Sequence, residues 1–243
     1  MARPRFFIEP PQEPWITGAI LPLTADASRH AQVLRLHPGD GIEVAWGDGN
    51  VWLGDIVEIQ GVDCRIRLVR PLTSTVELPV RIEVCIPILA QLSAWDDALP
   101  ALGELGATVI QPVIFQRSEY DARKLLSRYD RWKRVLERSA EQSHRVRRVE
   151  LKEVISFESL LTHPIKQRWV AYEQKTDRAN PELLHEDLVI TSGPEGGYTD
   201  QEIHQLMAAQ WQPISLGPNI LRAVTAPTAL LGAAIYRLGI SKI

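Results

Sequence analysis

Two segments of the chain, each with glycine between a predicted strand and a predicted helix, have the composition of ligand-binding loops. The first, residues 188–202, has the sequence LVITSGPEGGYTDQE, and the second, residues 214–229, has the sequence ISLGPNILRAVTAPTA. Each is typical of a strand, a glycine loop and the start of a helix. Glycine lets the backbone turn sharply and approach a ligand closely, and parallel sheets bind ligands at the carboxyl ends of their strands. The two loops are therefore predicted to line one pocket, the alternative being two ordinary strand-to-helix turns.

The helices that follow these loops have recognisable start signals. Thr199 followed by Glu202 forms the pattern of a capping box, which predicts a helix beginning there. Threonine is a preferred N-cap residue, and Thr225 is the predicted N-cap of the second helix. Pro227 agrees with this start, because proline is tolerated in a first helical turn. Neither segment matches the GxGxxG dinucleotide motif or the GxxxxGK[ST] phosphate loop. The ligand is therefore not assigned by these motifs.

Composition narrows the class of protein. The 243 residues include only two cysteines, Cys64 and Cys85, with no CxxC pattern and no clustered histidines. Neither a disulfide framework nor a metal site is expected, and a cytoplasmic location fits this usage. We find no signal-peptide pattern and no apolar run of membrane-spanning length, so no membrane partner is expected. The apolar segment 223–240 is interpreted as a buried helix.

Charge is unevenly distributed along the chain. The net charge is -3, yet residues 117–150 contain eleven Lys and Arg against six acidic residues, a local charge of +5. Such a basic band can bind a phosphate backbone. The alternative interpretation is a solvated helix face, and composition alone does not decide between them.

The elements that must position the two loops follow from hydrophobic periodicity. Strands are predicted at 41–46, 51–57 and 63–69, with one helix at 27–36, which is typical of a small barrel. After a linker at 71–80, buried strands alternate with helices, which indicates a parallel α/β sheet. The predicted strands are 80–89, 108–113, 169–172, 187–191 and 212–216, and the predicted helices include 94–105 and 121–142. In the second of these helices Leu126, Tyr129, Trp132, Leu136 and Ala140 recur at helical spacing.

The pair GPEGG and LGxxILRxxTA resembles the cofactor-binding signature of RsmE-type methyltransferases of the SPOUT superfamily. Three further stretches agree with that family in order and spacing. They are RFFIEP at 5–10 with His30, VLRL and PGD behind it, ELG at 104–106 through IQP to Arg117-Ser118, and WKR at 132–134 followed by AEQSHR at 140–145. Together these stretches span nearly the whole chain.

The resemblance implies a fold, a reaction and partners. The expected fold class is α/β, with an N-terminal PUA-like small β-barrel for RNA binding at 1–72 and a C-terminal SPOUT domain with a deep trefoil knot at 73–243. The implied activity is S-adenosylmethionine-dependent methylation of N3 of a uridine in 16S rRNA, presented within the small ribosomal subunit. The family also implies a homodimer whose active site lies at the subunit interface.

Site residues are carried over on the matching motifs. The expected cofactor-binding residues are Ser192, Gly193, Pro194, Glu195, Gly196, Gly197, Leu216, Gly217, Asn219, Ile220 and Leu221. Uracil N3 carries a proton, so its removal or the stabilisation of the N3 anion is needed. Arg222 is the leading catalytic candidate, followed by Arg145, and Glu141 would orient an arginine or accept the proton. Expected RNA-binding residues are Arg5, His30, Arg35 and Arg117, while Trp132 is assigned to core packing.

Three alternatives remain open at this stage. One is a catalytically lapsed SPOUT-fold RNA-binding protein, motivated by Asn219 and Val224, which stand where the family often has arginine and glutamate. The second is a SPOUT methyltransferase with a different RNA target, such as tRNA. The third is a nucleotide-binding α/β enzyme unrelated to RNA, which predicts no RNA affinity and an unknotted sheet.

Overall fold

The computed structural model describes residues 3–10, 14–61, 63–73, 76–119, 121–173 and 186–238. The chain divides into two compact units. The first contains Met1–Glu77 together with Glu137–Arg148, and the second contains Leu78–Leu136 together with Val149–Ile243. Residues 137–148 therefore pack with the N-terminal unit, although they follow the predicted domain boundary at residue 72. The boundary at residue 72 remains a prediction, because the sequence position of a domain boundary and the division into compact units need not coincide.

The first unit is built on a five-stranded mixed sheet in the order β1, β3, β4, β5, β2. Its elements are β1 (Arg5–Phe7), β2 (Ile20–Pro22), α1 (Ala25–Val33), β3 (Gly41–Ala45), β4 (Val51–Gln60) and β5 (Asp63–Leu72). β1 and β3 run parallel, whereas the other neighbours are antiparallel. The three strands and the helix that the sequence predicts here are confirmed. Strands β1 and β2 are too short to give a periodic signal.

Alternation along β5 shows how the sequence forms the core of this unit. Cys64, Ile66 and Leu68 are buried, and the two residues between them are exposed. Because successive side chains of a strand point to opposite faces, all three apolar residues face the same side. There they pack in one cluster with Ala27 and Ala31 of α1.

The second unit contains a parallel sheet in the order β12, β10, β11, β6, β7, β8, and β9 also pairs with β7. The strands are β6 (Ile82–Pro87), β7 (Val109–Ile114), β8 (Glu150–Leu151), β9 (Ile155–Ser156), β10 (Gln167–Ala171), β11 (Leu188–Thr191) and β12 (Gln212–Ile214). The helices are α2 (Ala94–Glu104), α3 (Ala122–Gln142), α4 (Phe157–Leu161), α5 (Asp200–Ala208) and α6 (Thr225–Arg237). The last residues of α3, from Glu137 onward, belong to the first unit. The predicted strands and helices are confirmed, and the short β8, β9 and α4 were not predicted.

Helices cover this sheet on both faces, which explains its apolar strands. Leu188 and Ile190 of β11 belong to the core cluster that includes residues of α2, α3 and α6. Val189, between them, belongs to a second cluster with residues of α4 and α5. On α3 the predicted stripe needs one correction, since Leu126 is 69% exposed while its neighbour Leu125 is buried.

The apolar segment 223–240 forms α6 up to Arg237, and its residues 239–240 lie outside the described part of the chain. Leu230, Leu231 and Ala234 of this helix are fully buried, as the sequence predicts. Helix α6 begins at Thr225, and its N-cap is Val224 rather than the predicted Thr225. Among the described residues, the structure contains no helix with the length and apolarity needed to cross a membrane.

Candidate functional site

A cavity of about 680 Å³ lies at the carboxyl edge of the parallel sheet in the second unit. Strands β11 and β12 flank β10, so the loops that follow them emerge at one edge. All eleven residues predicted to bind the cofactor line this cavity, and so does Arg222. The predicted convergence of the two glycine loops is therefore what the structure shows. The volume lies within the range typical of small-molecule sites, roughly 300–1,000 Å³.

Nine further residues line the cavity that are not among the predicted site residues. Tyr172 and Glu173 follow β10, the strand between the two loop-bearing strands. The rule that ligands bind at carboxyl ends of parallel strands applies equally to this strand and could have identified them. The remaining additions are Leu89, Ala94, Ala171, Tyr198, Ala223, Val224 and Ala226. Most are apolar, which gives the cavity a largely hydrophobic wall.

The glycines of the loops differ in what their missing side chains allow. A Cβ atom on Gly193 would lie 3.1 Å from the Tyr198 ring, and one on Gly196 would lie 3.2 Å from Cδ of Arg117. These two glycines therefore accommodate protein side chains. Gly197 and Gly217 have φ of +68° and +119° with no atom within 4 Å of the Cβ position. At these two positions the backbone conformation favours glycine, and the space beside the backbone is open.

The first loop is held by hydrogen bonds at its middle and at its carboxyl end. Thr199 Oγ1 accepts a hydrogen bond from Glu202 N at 3.2 Å, and Thr199 N donates to Glu202 Oε2 at 2.8 Å. This is the predicted capping box at the start of α5. Earlier in the loop, Glu195 Oε2 accepts from Ala90 N at 3.2 Å. These hydrogen bonds fix the loop at Glu195 and at its junction with α5.

Two polar groups of the cavity wall have particular chemical interest. Ser192 is 1% exposed, and its hydroxyl has no hydrogen-bond partner within the described residues. A buried hydroxyl without a partner is costly, so it is a candidate to bond a ligand. Arg222 is exposed at the cavity and makes no ion pair among the described residues. Its guanidinium is therefore available to a substrate.

The other two catalytic candidates belong to the first unit and are not among the residues that line the cavity. Arg145 is 3% exposed, and its Nη2 donates to Glu77 Oε2 at 2.9 Å. Glu77 also accepts hydrogen bonds from the backbone nitrogens of Val146 and Arg147. In this placement Arg145 stabilises the segment that packs with the N-terminal unit.

Glu141 is a buried carboxyl group in the same unit. Its Oε1 accepts from Phe7 N at 2.9 Å, and its Oε2 lies 3.7 Å from His30 Nδ1. Burial is the largest influence and raises the pKa of Glu141 to about 7, with Glu137 adding to the rise. Burial and then the charge of Arg138 lower the pKa of His30. At neutral pH Glu141 is therefore only partly ionised.

The four RNA-binding candidates differ in the exposure and the hydrogen bonds of their side chains. Arg5 is 7% exposed, its Nε donates to Glu43 Oε2 at 3.0 Å, and its Nη1 donates to the backbone oxygen of His144. Its guanidinium is therefore occupied by hydrogen bonds inside the first unit. Arg35 is exposed, with φ of 55°, just after α1. His30 is partly exposed, and Arg117 is exposed beside the first glycine loop.

The basic band of residues 117–150 is partly neutralised by the fold. Asp96 accepts from Arg128, Arg131 and the indole nitrogen of Trp132. Trp132 is fully buried, which agrees with its assignment to core packing. In the first unit, Arg148 donates to Glu137 at 3.0 Å. A simple count of basic residues therefore overstates the charge that is open to a phosphate backbone.

Comparison with known proteins assigns the two parts of the chain. An RNA methyltransferase domain model matches residues 76–235, and an RNA methyltransferase PUA domain model matches residues 23–68. The expected PUA-like unit followed by an α/β methyltransferase unit is thereby confirmed.

Curated relatives match along most of the chain. Ribosomal RNA small subunit methyltransferase E of Synechocystis is 31% identical over 93% of this chain and 75% of its own length. The protein of the same name from Bacillus subtilis is 26% identical over 96% of both chains. A crystal structure of the Neisseria gonorrhoeae ribosomal RNA small subunit methyltransferase E bound to S-adenosylmethionine superposes with a TM-score of 0.85, 28% identity and 96% coverage of both chains. With a domain model matching more than half of its residues, the chain belongs to the RNA methyltransferase family of these RsmE-type enzymes.

Proposed function

We propose that this chain is an S-adenosylmethionine-dependent methyltransferase that acts on N3 of a uridine in 16S rRNA. The single observation that carries the proposal is the cavity formed by both glycine loops, in a chain whose relatives are named as small-subunit rRNA methyltransferases. A methyltransferase needs one pocket for the donor and an open side for the nucleotide. The exposed residues Asn219, Ile220 and Arg222 provide such an open side.

The residues of the cavity fit S-adenosylmethionine. Apolar groups such as Leu216 and Leu221 suit an adenine ring, and the buried Ser192 hydroxyl lacks a protein partner. Gly197 and Gly217 leave open space where backbone groups meet the cavity. We assign the eleven loop residues to cofactor binding. When bound there, the cofactor supplies a methyl group on a sulfonium centre.

The protein's own contribution is to position the uridine and to manage its charge. Methyl transfer to N3 requires that the N3 proton leaves and that the resulting negative charge, shared with O2 and O4, is stabilised. We assign this stabilisation to Arg222, because its guanidinium is at the cavity and is not neutralised by a described carboxylate. Arg145 and Glu141 receive no catalytic role in this proposal, because their side chains are buried in contacts of the first unit.

The remaining parts of the proposal concern organisation and partners. We infer that residues 1–72 form the PUA-like RNA-binding domain and that residues 73–243 form a SPOUT domain with a trefoil knot. Arg35 and His30 are the RNA contacts that we retain in the first unit, since both expose polar groups. We further propose a cytoplasmic homodimer that recognises its uridine within the small ribosomal subunit.

Calorimetric titration with S-adenosylmethionine is the first test, followed by methyl transfer to small subunits that lack the modification. We expect micromolar binding and incorporation of one methyl group into 16S rRNA. Arg222→Ala should lower kcat at least about 100-fold, the usual cost of removing one charge-stabilising donor, with little change in cofactor Kd. The exposed Lys166, changed to alanine, is the control in the same unit.

Two of the three alternatives have distinct signatures in these assays. Binding of the cofactor without methyl transfer to any RNA would support the catalytically lapsed protein. Transfer to tRNA and not to small subunits would indicate a different RNA target. The third alternative, a nucleotide-binding enzyme unrelated to RNA, is contradicted by the RNA methyltransferase domain model that matches residues 76–235.

A further inference from the structure

We propose that Arg117 is a positioning residue that fixes the first glycine loop of the cavity, and this inference rests on the proposed function. Arg117 lies in the turn that follows β7. Its Nη1 donates hydrogen bonds to the backbone oxygen of Gly196 at 2.6 Å and to that of Tyr198 at 3.3 Å. One guanidinium thus bridges two peptide groups of the loop that lines the cavity. Arg117 itself is not among the lining residues.

The stem of Arg117 reinforces this bridge. A Cβ atom built on Gly196 would lie 3.2 Å from Arg117 Cδ and 3.3 Å from Arg117 Cβ. The methylene groups of Arg117 therefore pack directly against Gly196. A glycine at 196 is explained by the close approach of Arg117, and the pair acts as one packed unit.

The turn that carries Arg117 is itself held against the loop. Glu202 is 3% exposed and accepts from Gln116 N at 2.8 Å as well as from Thr199 N at 2.8 Å. The Phe115 ring packs edge-on against Tyr198, with ring centroids 5.6 Å apart. A buried carboxylate and an aromatic contact thus connect the turn to the start of α5. These contacts hold the turn from which the Arg117 side chain extends to the glycine loop.

This arrangement implies an effect on cofactor affinity rather than on the chemical step. A loop that is already ordered loses less conformational freedom when it binds a ligand. Removing the guanidinium leaves the Gly196 and Tyr198 carbonyls without this donor and lets the loop move. Because Arg117 is exposed, we expect a moderate change, a rise in Kd of about tenfold, which corresponds to about 1.4 kcal/mol.

The test compares Arg117→Ala, Arg117→Met and Arg117→Lys with the native chain, and Lys166→Ala is the matched control for losing an exposed cation of the same unit. Calorimetry gives the Kd for S-adenosylmethionine, and steady-state assays on small subunits give KM for the cofactor and kcat. Arg117→Met keeps part of the stem without its donors. Arg117→Lys restores one charged donor. Melting temperatures show whether a variant remains folded.

We expect Kd and cofactor KM to rise together in Arg117→Ala and Arg117→Met, with kcat at saturating cofactor nearly unchanged and partial recovery in Arg117→Lys. Native affinity for the cofactor in Arg117→Ala, combined with weaker RNA binding, would overturn the inference and make Arg117 a phosphate contact. A fall in kcat without a change in Kd would overturn it as well. If the native chain does not bind S-adenosylmethionine, the proposed function fails, and this result is distinct from both.

Discussion

Replacing Glu141 with glutamine tests whether this buried carboxyl group is structural or catalytic. The side chain is 7% exposed, accepts one hydrogen bond from Phe7 N and lies 3.7 Å from His30. Burial raises its pKa to about 7 from an ordinary value of 4.5. Glutamine reproduces the shape of the protonated acid and keeps an oxygen for the Phe7 N–H. We therefore expect the Glu141→Gln variant to fold and to retain the native contacts.

The magnitude follows from the difference in proton affinity between the folded and unfolded chains. A pKa rise from 4.5 to about 7, at about 1.4 kcal/mol per pKa unit, corresponds to roughly 3 kcal/mol. Because the folded-state pKa is the higher one, the folded chain binds more protons between these two values. The free energy of unfolding of the native chain therefore decreases as pH rises from about 4.5 to about 7. The glutamine variant lacks this dependence.

Urea unfolding at pH 5 and pH 8 measures the effect. We expect Glu141→Gln to match the native chain at pH 5 within about 1 kcal/mol and to be more stable at pH 8 by up to roughly 3 kcal/mol. Glu9→Gln, which changes an exposed carboxylate of the same unit, is the control and should show no such difference. Equal destabilisation by Glu141→Gln at both pH values would refute the reasoning. Loss of methyl transfer in a stable variant would instead restore the catalytic role.

Two further predictions follow from other charged residues. Burial alone would raise the pKa of Glu83, but His163, Lys152 and Arg81 outweigh it and lower the pKa to about 2. Glu83→Gln should therefore destabilise the chain by roughly 3 kcal/mol at pH 7, and the difference should diminish as pH falls from about 4.5 towards 2, measured by urea unfolding. Arg35 and Gln210 have φ of 55° and 63°. Changing either to glycine should leave stability unchanged or raise it by up to about 1 kcal/mol, whereas only Arg35→Gly should weaken RNA binding in filter assays. Equal RNA affinity in both variants would contradict the assignment of Arg35.

The sequence was sufficient to predict the longer elements and the two glycine loops of the methyltransferase unit because their determinants are local. Strand β11 begins with an apolar run, the capping box lies within four residues, and the three glycines of the first loop lie within five residues. Parallel strands then bring the two loops to one edge without any knowledge of side-chain contacts. The eleven loop residues could therefore be predicted, and the cavity contains them all.

The roles of the arginines could not be predicted because their partners are distant in sequence. Arg5 meets Glu43 and His144, and Arg145 meets Glu77, 68 residues away. Nothing local to either arginine distinguishes it from Arg222, which has no carboxylate partner among the described residues. Glycine spacing had a similar limit, since only the structure shows that Gly193 and Gly196 accommodate Tyr198 and Arg117.

Backbone groups and side chains have different roles at this site. Both loops present backbone to the cavity, and side chains outside it, among them Glu202 and Arg117, hold the first loop in shape. Such an arrangement suits a ligand that is the same in every turnover, because ordered loops lose little conformational freedom when they bind it. Arg222 differs in having an exposed and unneutralised charge. Cofactor affinity should therefore depend on residues that hold the loops, and turnover should depend on Arg222, so that mutations of the two groups change KM and kcat separately.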